Sequence, residues 1–422
     1  NSSDTLTIQA GIVIENNDSI ENFIGFENLL TAASLTIKGN DRLKNFSGFD
    51  NLSNLNEGSG NLIISHNDSL LNLSGLDNLH KSLTVKILSN QSLISLQGLG
   101  NLTEITSLEI LNNNSLQDLS GLSNITELNY LRIDNNKNLA YLNGLESLEL
   151  ISDNLYLTGN HHLIDLAGFD NLKSIEGNMY IGWNYKLNNL NNLSNLLTLK
   201  GNLNIEHNDM LQDLNGLNNI SYLGGALKIN WNYDLNSLTG LELLDYVGGN
   251  IEITHNSNLG NLEGLNNLEV TGGNLSIQHN YQLNSISALS NLETIRGEID
   301  FSWNHNLESL TGIGNIDAES ILYLNLFDNH SLSHCACNSV CNYFSLYGDS
   351  ALVYDNEFGC MNTEEIIQEC AVVGIKNTEP GYFLVYPNPV NNMVYIESPP
   401  GTEINKIIIY NELGLITSIH HK

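Results

Sequence analysis

The chain has 422 residues, 41% of them hydrophobic, and its 15 Lys+Arg against 47 Asp+Glu give a net charge of −32. Such a surface repels phosphate, which excludes nucleic acid and anionic membranes as partners. No run of 18 apolar residues occurs, so no membrane span is expected.

The chain opens on Asn1 without a leader, so a mature form or a fragment is expected. From residue 12 to about 334 one repeat dominates. The coil beginning at Leu203 has apolar residues at Leu203, Ile205, Leu211, Leu214, Leu217, Ile220 and Leu223; the next coil repeats the same offsets from Leu227 to Val247. Each coil holds one Asn at a fixed place: Asn17, Asn40, Asn67, Asn90, Asn113, Asn136, Asn160, Asn184, Asn208, Asn232, Asn256, Asn280, Asn304 and Asn329. Their spacing is 23 to 25 residues, except once at 27, where residues 56–60 are expected to bulge. Leu-x-Ile before the Asn has the period of a strand buried on one face. The apolar period of three after the Asn fits a chain turning corners around a core. Inward amides can satisfy the backbone groups that such corners leave unpaired. A Gly eight residues after the Asn, such as Gly216 or Gly240, is expected to take a backbone angle forbidden to other residues; Gly312 stands in the same column, and Asn192 and Ala288 replace the Gly in two coils. A single coil cannot stand alone, so the coils must stack and their ends need caps. About 14 coils spaced 4.8 Å apart make a rod of roughly 65 Å.

The pattern LxIxxNxxLxxLxGLxNL resembles the receptor L-domain type of leucine-rich repeat. The resemblance implies a mainly β fold: a right-handed, β-helix-like solenoid over residues 1–334 with a parallel sheet built from the Leu-x-Ile strands. It implies no particular ligand.

All five cysteines lie between residues 335 and 370. The spacing of CACNSVC matches no common zinc finger, and a disulfide-closed end cap at 335–371 suits an extracellular solenoid better. NSVCNYFSLYG and NTEEIIQEC read as short helices, the second capped by Asn362. The segment is similar to the cap that follows bacterial L-domain repeats, which places Cys335, Cys341, Cys360 and Cys370 in disulfides. Three pairings stay open. Cys337 is left over, and a nucleophilic role for it would need a base such as His334.

Residues 372–382 read as a linker, and residues 383–422 alternate apolar and polar residues in short strands. Tyr386, Pro387, Asn388 and Pro389, then Ile407 to Asn411 and Gly414, resemble the start of a type IX secretion sorting domain of Bacteroidetes proteins, which implies a β-sandwich that is expected to be only partial here. That resemblance implies the type IX secretion machinery as a partner and a secreted or cell-surface location.

With the core committed to packing, function must lie on outward positions. The residue between Leu and Ile points outward and includes Lys86, Glu109, Arg132, Tyr156, Tyr180, Lys228 and Glu252, whose alternating charges suggest cross-strand ion pairs. The residue before the Asn is small or polar in the first half of the repeat. It then becomes an unbroken run: Trp183, His207, Trp231, His255, His279 and Trp303. The residue after the Asn adds Tyr185, Tyr233 and Tyr281, 48 residues apart. Three readings fit this column. The rings stack on one another; or they bind a glycan, with Trp183 and Trp231 about 10 Å apart; or His255 and His279 share a metal ion.

No GxSxG, HExxH or Walker motif occurs. Lys228, Glu252 and Asp300 are the nearest approach to a polysaccharide lyase site, the enzymatic alternative. The sequence therefore reads as a non-catalytic binding or adhesion protein without cofactor or metal, recognising an extracellular glycan or protein. Tyr156, Tyr180, Trp183, Tyr185, His207, Trp231, Tyr233, His255, His279 and Trp303 are its candidate contacts.

Overall fold

The computed structural model describes residues 5–55 and 60–373, together with four strands within 384–421. Residues Asn1–Cys370 form one compact unit and Ala371–Lys422 another. The first is a parallel-sheet β-solenoid of about 14 turns. Its main sheet begins with Leu6–Glu15 and Leu29–Lys38 and continues one strand per coil, always paired in parallel with the next. A second, narrower parallel sheet lies along another side, from Glu127–Leu128 to Thr294–Ile295. The expected bulge at 56–60 falls mostly outside the described residues.

Every apolar position of the Leu203 coil is sealed: Leu203, Ile205, Leu211, Leu214, Leu217 and Leu223 have no exposed surface, and Ile220 has 1%. The buried asparagines join the coils. Asn232 Nδ2 donates to Ile205 O of the preceding coil (2.9 Å), to Asn230 O of its own (3.1 Å) and to Asn256 Oδ1 of the next (3.3 Å). The backbone N–H of Asn232 also donates to Asn256 Oδ1 at 3.1 Å. One fully buried amide thus ties together three coils, and its neighbours repeat the arrangement.

Two further amide ladders were not anticipated. Asn154, Asn178 and Asn202 precede successive strands, and Asn178 and Asn202 each donate their backbone N–H to the amide of the coil before, both at 2.8 Å. At the surface, Asn219 Nδ2 reaches Ser194 O (2.7 Å) and Asn267 Nδ2 reaches Glu242 O (2.6 Å), the same contact in different coils.

The glycine column takes the strained angle expected of it. Gly240 has φ +113°, and a Cβ there would lie 2.0 Å from Leu214 O of the preceding coil. Gly312 departs from the expectation. It sits in a 3-10 turn, Thr311–Ile313, without a positive φ, as the coils with Asn192 and Ala288 also do. What holds Gly312 is close approach alone, because a Cβ would meet Ile286 O at 2.1 Å.

The cysteine segment closes the end of the core and also extends the ladder. Helices α1 (Asn338–Tyr347) and α2 (Thr363–Val373) form where the sequence placed them, and Asn362 Oδ1 caps the Glu365 N–H at 3.0 Å. Between them Ala351–Tyr354 adds a further parallel strand to Ile321–Phe327, and Asn356 Oδ1 accepts from the Asn329 N–H at 3.2 Å. This extra rung went unread because α1 replaces a corner and stretches the spacing. Cys335 pairs with Cys360 and Cys341 with Cys370, which selects one of the three open pairings; Cys337 is free and buried.

Within the second unit, Leu384–Tyr386 pairs antiparallel with Tyr395–Glu397, and Lys406–Tyr410 with Ile416–His421. Of the expected linker, only residues 372 and 373, the end of α2, are described; Pro387, Asn388, Pro389, Asn411 and Gly414 also lie outside the described residues.

The ladders predict an unequal cost of truncation. Asn232→Ala removes several buried bonds and strands their partners, so it should cost about 2–4 kcal/mol, whereas the exposed Asn219→Ala should cost about 1 kcal/mol or less. Urea denaturation of the two variants checks this, and equal costs would contradict the ladder's structural role.

Candidate functional site

The ring column occupies a corner of unusual backbone geometry. The residue before each ladder Asn is in the left-handed region: Trp183 at φ +59°, His207 at +53°, Trp231 at +59°, His255 at +59°, His279 at +54° and Trp303 at +59°. Gly39, Asn112, Asn135 and Gly159 hold the same conformation in the first half. The corner exists because the N–H of each residue here turns to the next coil: Trp183 donates to Glu206 O at 3.0 Å and Trp231 to Thr254 O at 3.0 Å. Gly and Asn are the residues that adopt this conformation cheaply, and other L-residues pay about 1–2 kcal/mol. The mixture of Asn, Gly, Ser and Asp in this column was the unread signal for the angle.

The rings stack. Trp183 lies on His207 with centroids 3.8 Å apart, His207 faces Trp231 at 5.6 Å, and Trp231 lies on His255 at 3.7 Å. His255 then faces His279 at 4.2 Å and His279 faces Trp303 at 5.4 Å. Interplanar angles run from 7° to 22°. Imidazoles therefore fill the spaces between indoles, so Trp183 and Trp231 do not stand as two bare platforms with a gap between them. The column meets solvent at its flank, with Trp183 41% and Trp303 37% exposed. Tyr185, Tyr233 and Tyr281 stand edge-on to Trp183, Trp231 and His279 at 6.3, 6.3 and 6.2 Å. Sequence reasoning missed His161, His305 and His330, which continue this outer row beside Tyr185 and Tyr281.

Tyr156 and Tyr180 lie on the sheet face rather than in the column, with ring centroids 6.2 Å apart. The Tyr180 hydroxyl donates to the Glu206 carboxylate, and Gly182 leaves room for the Tyr180 ring. Burial, and then the Glu206 carboxylate, raise the Tyr180 pKa far above its ordinary value. Lys86–Glu109 (2.8 Å) and Lys228–Glu252 (2.5 Å) form the expected cross-strand ion pairs. Arg132 instead pairs with Asp134 on its own strand at 2.7 Å.

The shared-ion reading of His255 and His279 does not fit this geometry. Near-parallel stacked imidazoles point their in-plane lone pairs side by side, so they do not converge on one ion. Among the described residues no group of three or more His, Cys, Asp or Glu could hold a metal. The Cys337 thiol is pushed up by burial, and His334 Nδ1 contacts Ser333 Oγ (3.0 Å) rather than the sulfur. The trio nearest a lyase site is otherwise engaged: Lys228 with Glu252, and Asp300 Oδ1 with the Ser302 hydroxyl at 2.7 Å.

A family model described as Receptor L domain matches residues 245–311, which include His255, His279 and Trp303. Domains of this family bind extracellular ligands and are typically non-catalytic. A solved structure described as a TLR13–ssRNA13 complex aligns at 14% identity over 80% of this chain and 79% of that one, with a TM-score of 0.16, too low to carry an argument. No curated protein matches.

Burial lowers the pKa values of His255, His279 and His305; a neighbouring imidazole adds to the effect in each case, and Asp328 opposes it for the last two. The buried His255 Nδ1 and His305 Nε2 have no hydrogen-bond partner. As pH falls, the unfolded chain therefore takes up protons first. The contribution of these rings is intact above the ordinary histidine value of about 6.5 and is lost as pH drops through their lower folded values. The urea midpoint should accordingly fall between pH 7 and pH 5.5, and His255→Gln combined with His279→Gln should flatten that slope. An unchanged slope would show that these imidazoles titrate alike folded and unfolded.

Proposed function

We propose that the solenoid is a non-catalytic, secreted or cell-surface binding module. It recognises an extracellular glycan through the ring column and the sheet face beside it. One observation carries this reading: six consecutive coils place a bulky ring at a left-handed corner that Gly or Asn would occupy more cheaply. Ring stacking returns about 0.5–1.5 kcal/mol per pair, which roughly offsets the backbone cost and leaves little net stabilisation. Strained residues that stability does not require point to function.

The adjoining face supports a glycan over an apolar protein surface. Apart from Lys228, which is paired to Glu252, its side chains are mainly amides, hydroxyls and carboxylates, among them Asn204, Glu206, Asn230, Thr254 and Gln278, all half-buried. Planar polar groups beside aromatic edges suit a ligand rich in hydroxyls. Display outside the cell is supported by the match to an extracellular family and by the paired disulfides. In this reading the tail, through its sorting-domain resemblance, delivers the chain to the type IX secretion machinery.

The test is binding of the full chain to a panel of insoluble and soluble polysaccharides, with Trp183→Ala and Trp231→Ala as variants. The best ligand should lose about tenfold or more in affinity with each variant, while the thermal midpoint moves little. Undiminished binding by both variants would remove the ring column from recognition. Retention of a protein ligand alone would replace the glycan reading with a protein partner.

A further inference from the structure

We infer that the ligand is a neutral, extended, β-linked glycan ribbon that lies parallel to the solenoid axis and contributes one sugar ring to each coil. This rests on the glycan reading and specifies its substrate class.

The face beside the rings is periodic. Tyr180, Asn204, Lys228, Glu252, Ser276 and Asp300 form its central column, paired coil to coil with no register shift. An amide ladder through Asn178 and Asn202 borders the start of the strands, and the ring column borders their end. A strip about four residues wide, or roughly 13 Å, therefore runs across the six coils from Trp183 to Trp303.

Such a strip has no place that singles out one sugar. Its hollow beside Glu252, Ser276 and Asp300 is lined mostly by polar side chains but holds only about 170 Å³, below the roughly 300 Å³ or more of an enclosed ligand pocket. It offers the same kinds of contact every coil, about 4.8 Å apart. A flat β-1,4-linked pyranose ribbon advances by about one coil spacing per ring and turns alternate rings over, so its rings stay nearly in step with the coils and its hydroxyl pattern repeats every second coil. A helical α-linked glycan curves away after two or three rings. Charge narrows the class further. With a net charge of −32 and Lys228 already paired to Glu252, the face disfavours uronates and sulfated sugars.

Neutral β-1,4-linked oligosaccharides of two to ten rings, of the gluco, manno and N-acetylglucosamine types, are titrated into the full chain beside α-1,4-linked gluco-oligosaccharides of equal length. Affinity should rise several-fold with each added ring of the best β-linked series and level off near about six rings, the number of coils in the strip. Ser276→Trp puts a bulky side chain across the strip. It should bring the plateau down to about four rings while the thermal midpoint stays in place. Affinity that is independent of length, or equal for the α-linked series, would overturn the ribbon while leaving glycan recognition standing. Failure of every oligosaccharide and polysaccharide to bind would overturn both.

Discussion

The amide ladder is the constraint on which the rest of this solenoid depends. Parallel strands fix the spacing between coils, but their bonds alone do not prevent a coil of different length from drifting in register. A buried Asn whose Nδ2 reaches the strand before, its own strand and the Asn after gives each coil one position at which it fits. Any slip would strand a buried amide and two or three carbonyls, each at a cost of about 1–3 kcal/mol. Columns of side chains outside the core stay aligned because of this internal registration. The surface inherits its periodicity from the core.

The same ladder forces the strain next to it. To turn the Asn inward, the preceding residue must leave the strand through a left-handed conformation, and it does so in coil after coil. A side chain at that corner is thrown out beside its counterparts one coil above and below, the geometry in which flat rings stack. The core thus creates a surface position that is costly to fill with anything but Gly or Asn, yet well suited to a continuous row of rings.

Most of the architecture was legible because it is periodic. Leu-x-Ile strands, the inward Asn and the sealed Leu positions recur at one offset; the cap resemblance marked the four paired cysteines without their pairing, and both cap helices follow from local signals. What stayed hidden depends on geometry that one coil does not reveal. Asn154 and Asn219 look like ordinary surface polar residues until a neighbouring coil supplies each with a partner. Arg132 has Glu109 on the neighbouring strand and Asp134 two residues away, and only side-chain reach decides for the latter. Asn356 was obscured by an inserted helix. For the candidate site, the residues of the column were readable but their orientation was not. That the indoles alternate with imidazoles in contact, rather than stand apart, required the coordinates.

The restriction of the unbroken ring run to the second half of the solenoid has a structural counterpart. Up to Asn136 the ladder advances by 23 residues, apart from the single gap of 27, and from Asn61–Ser65 to Tyr130–Asp134 its strands have five residues; from Asn136 to Asn304 it advances by 24 and most strands have four, as in Leu155–Thr158. The added residue makes a second corner at the start of the strand, and the Asn154–Asn178–Asn202 ladder forms there. The strip is thereby pinned by amides at both ends of most of its strands, and the unbroken ring run begins with Trp183, one coil after this change. A face held at both margins is flatter and stiffer than one held at a single margin. Preorganisation of that kind lowers the ordering cost of binding. The extra residue and the onset of the rings are therefore best understood together: one builds a rigid strip, and the other gives it an aromatic border.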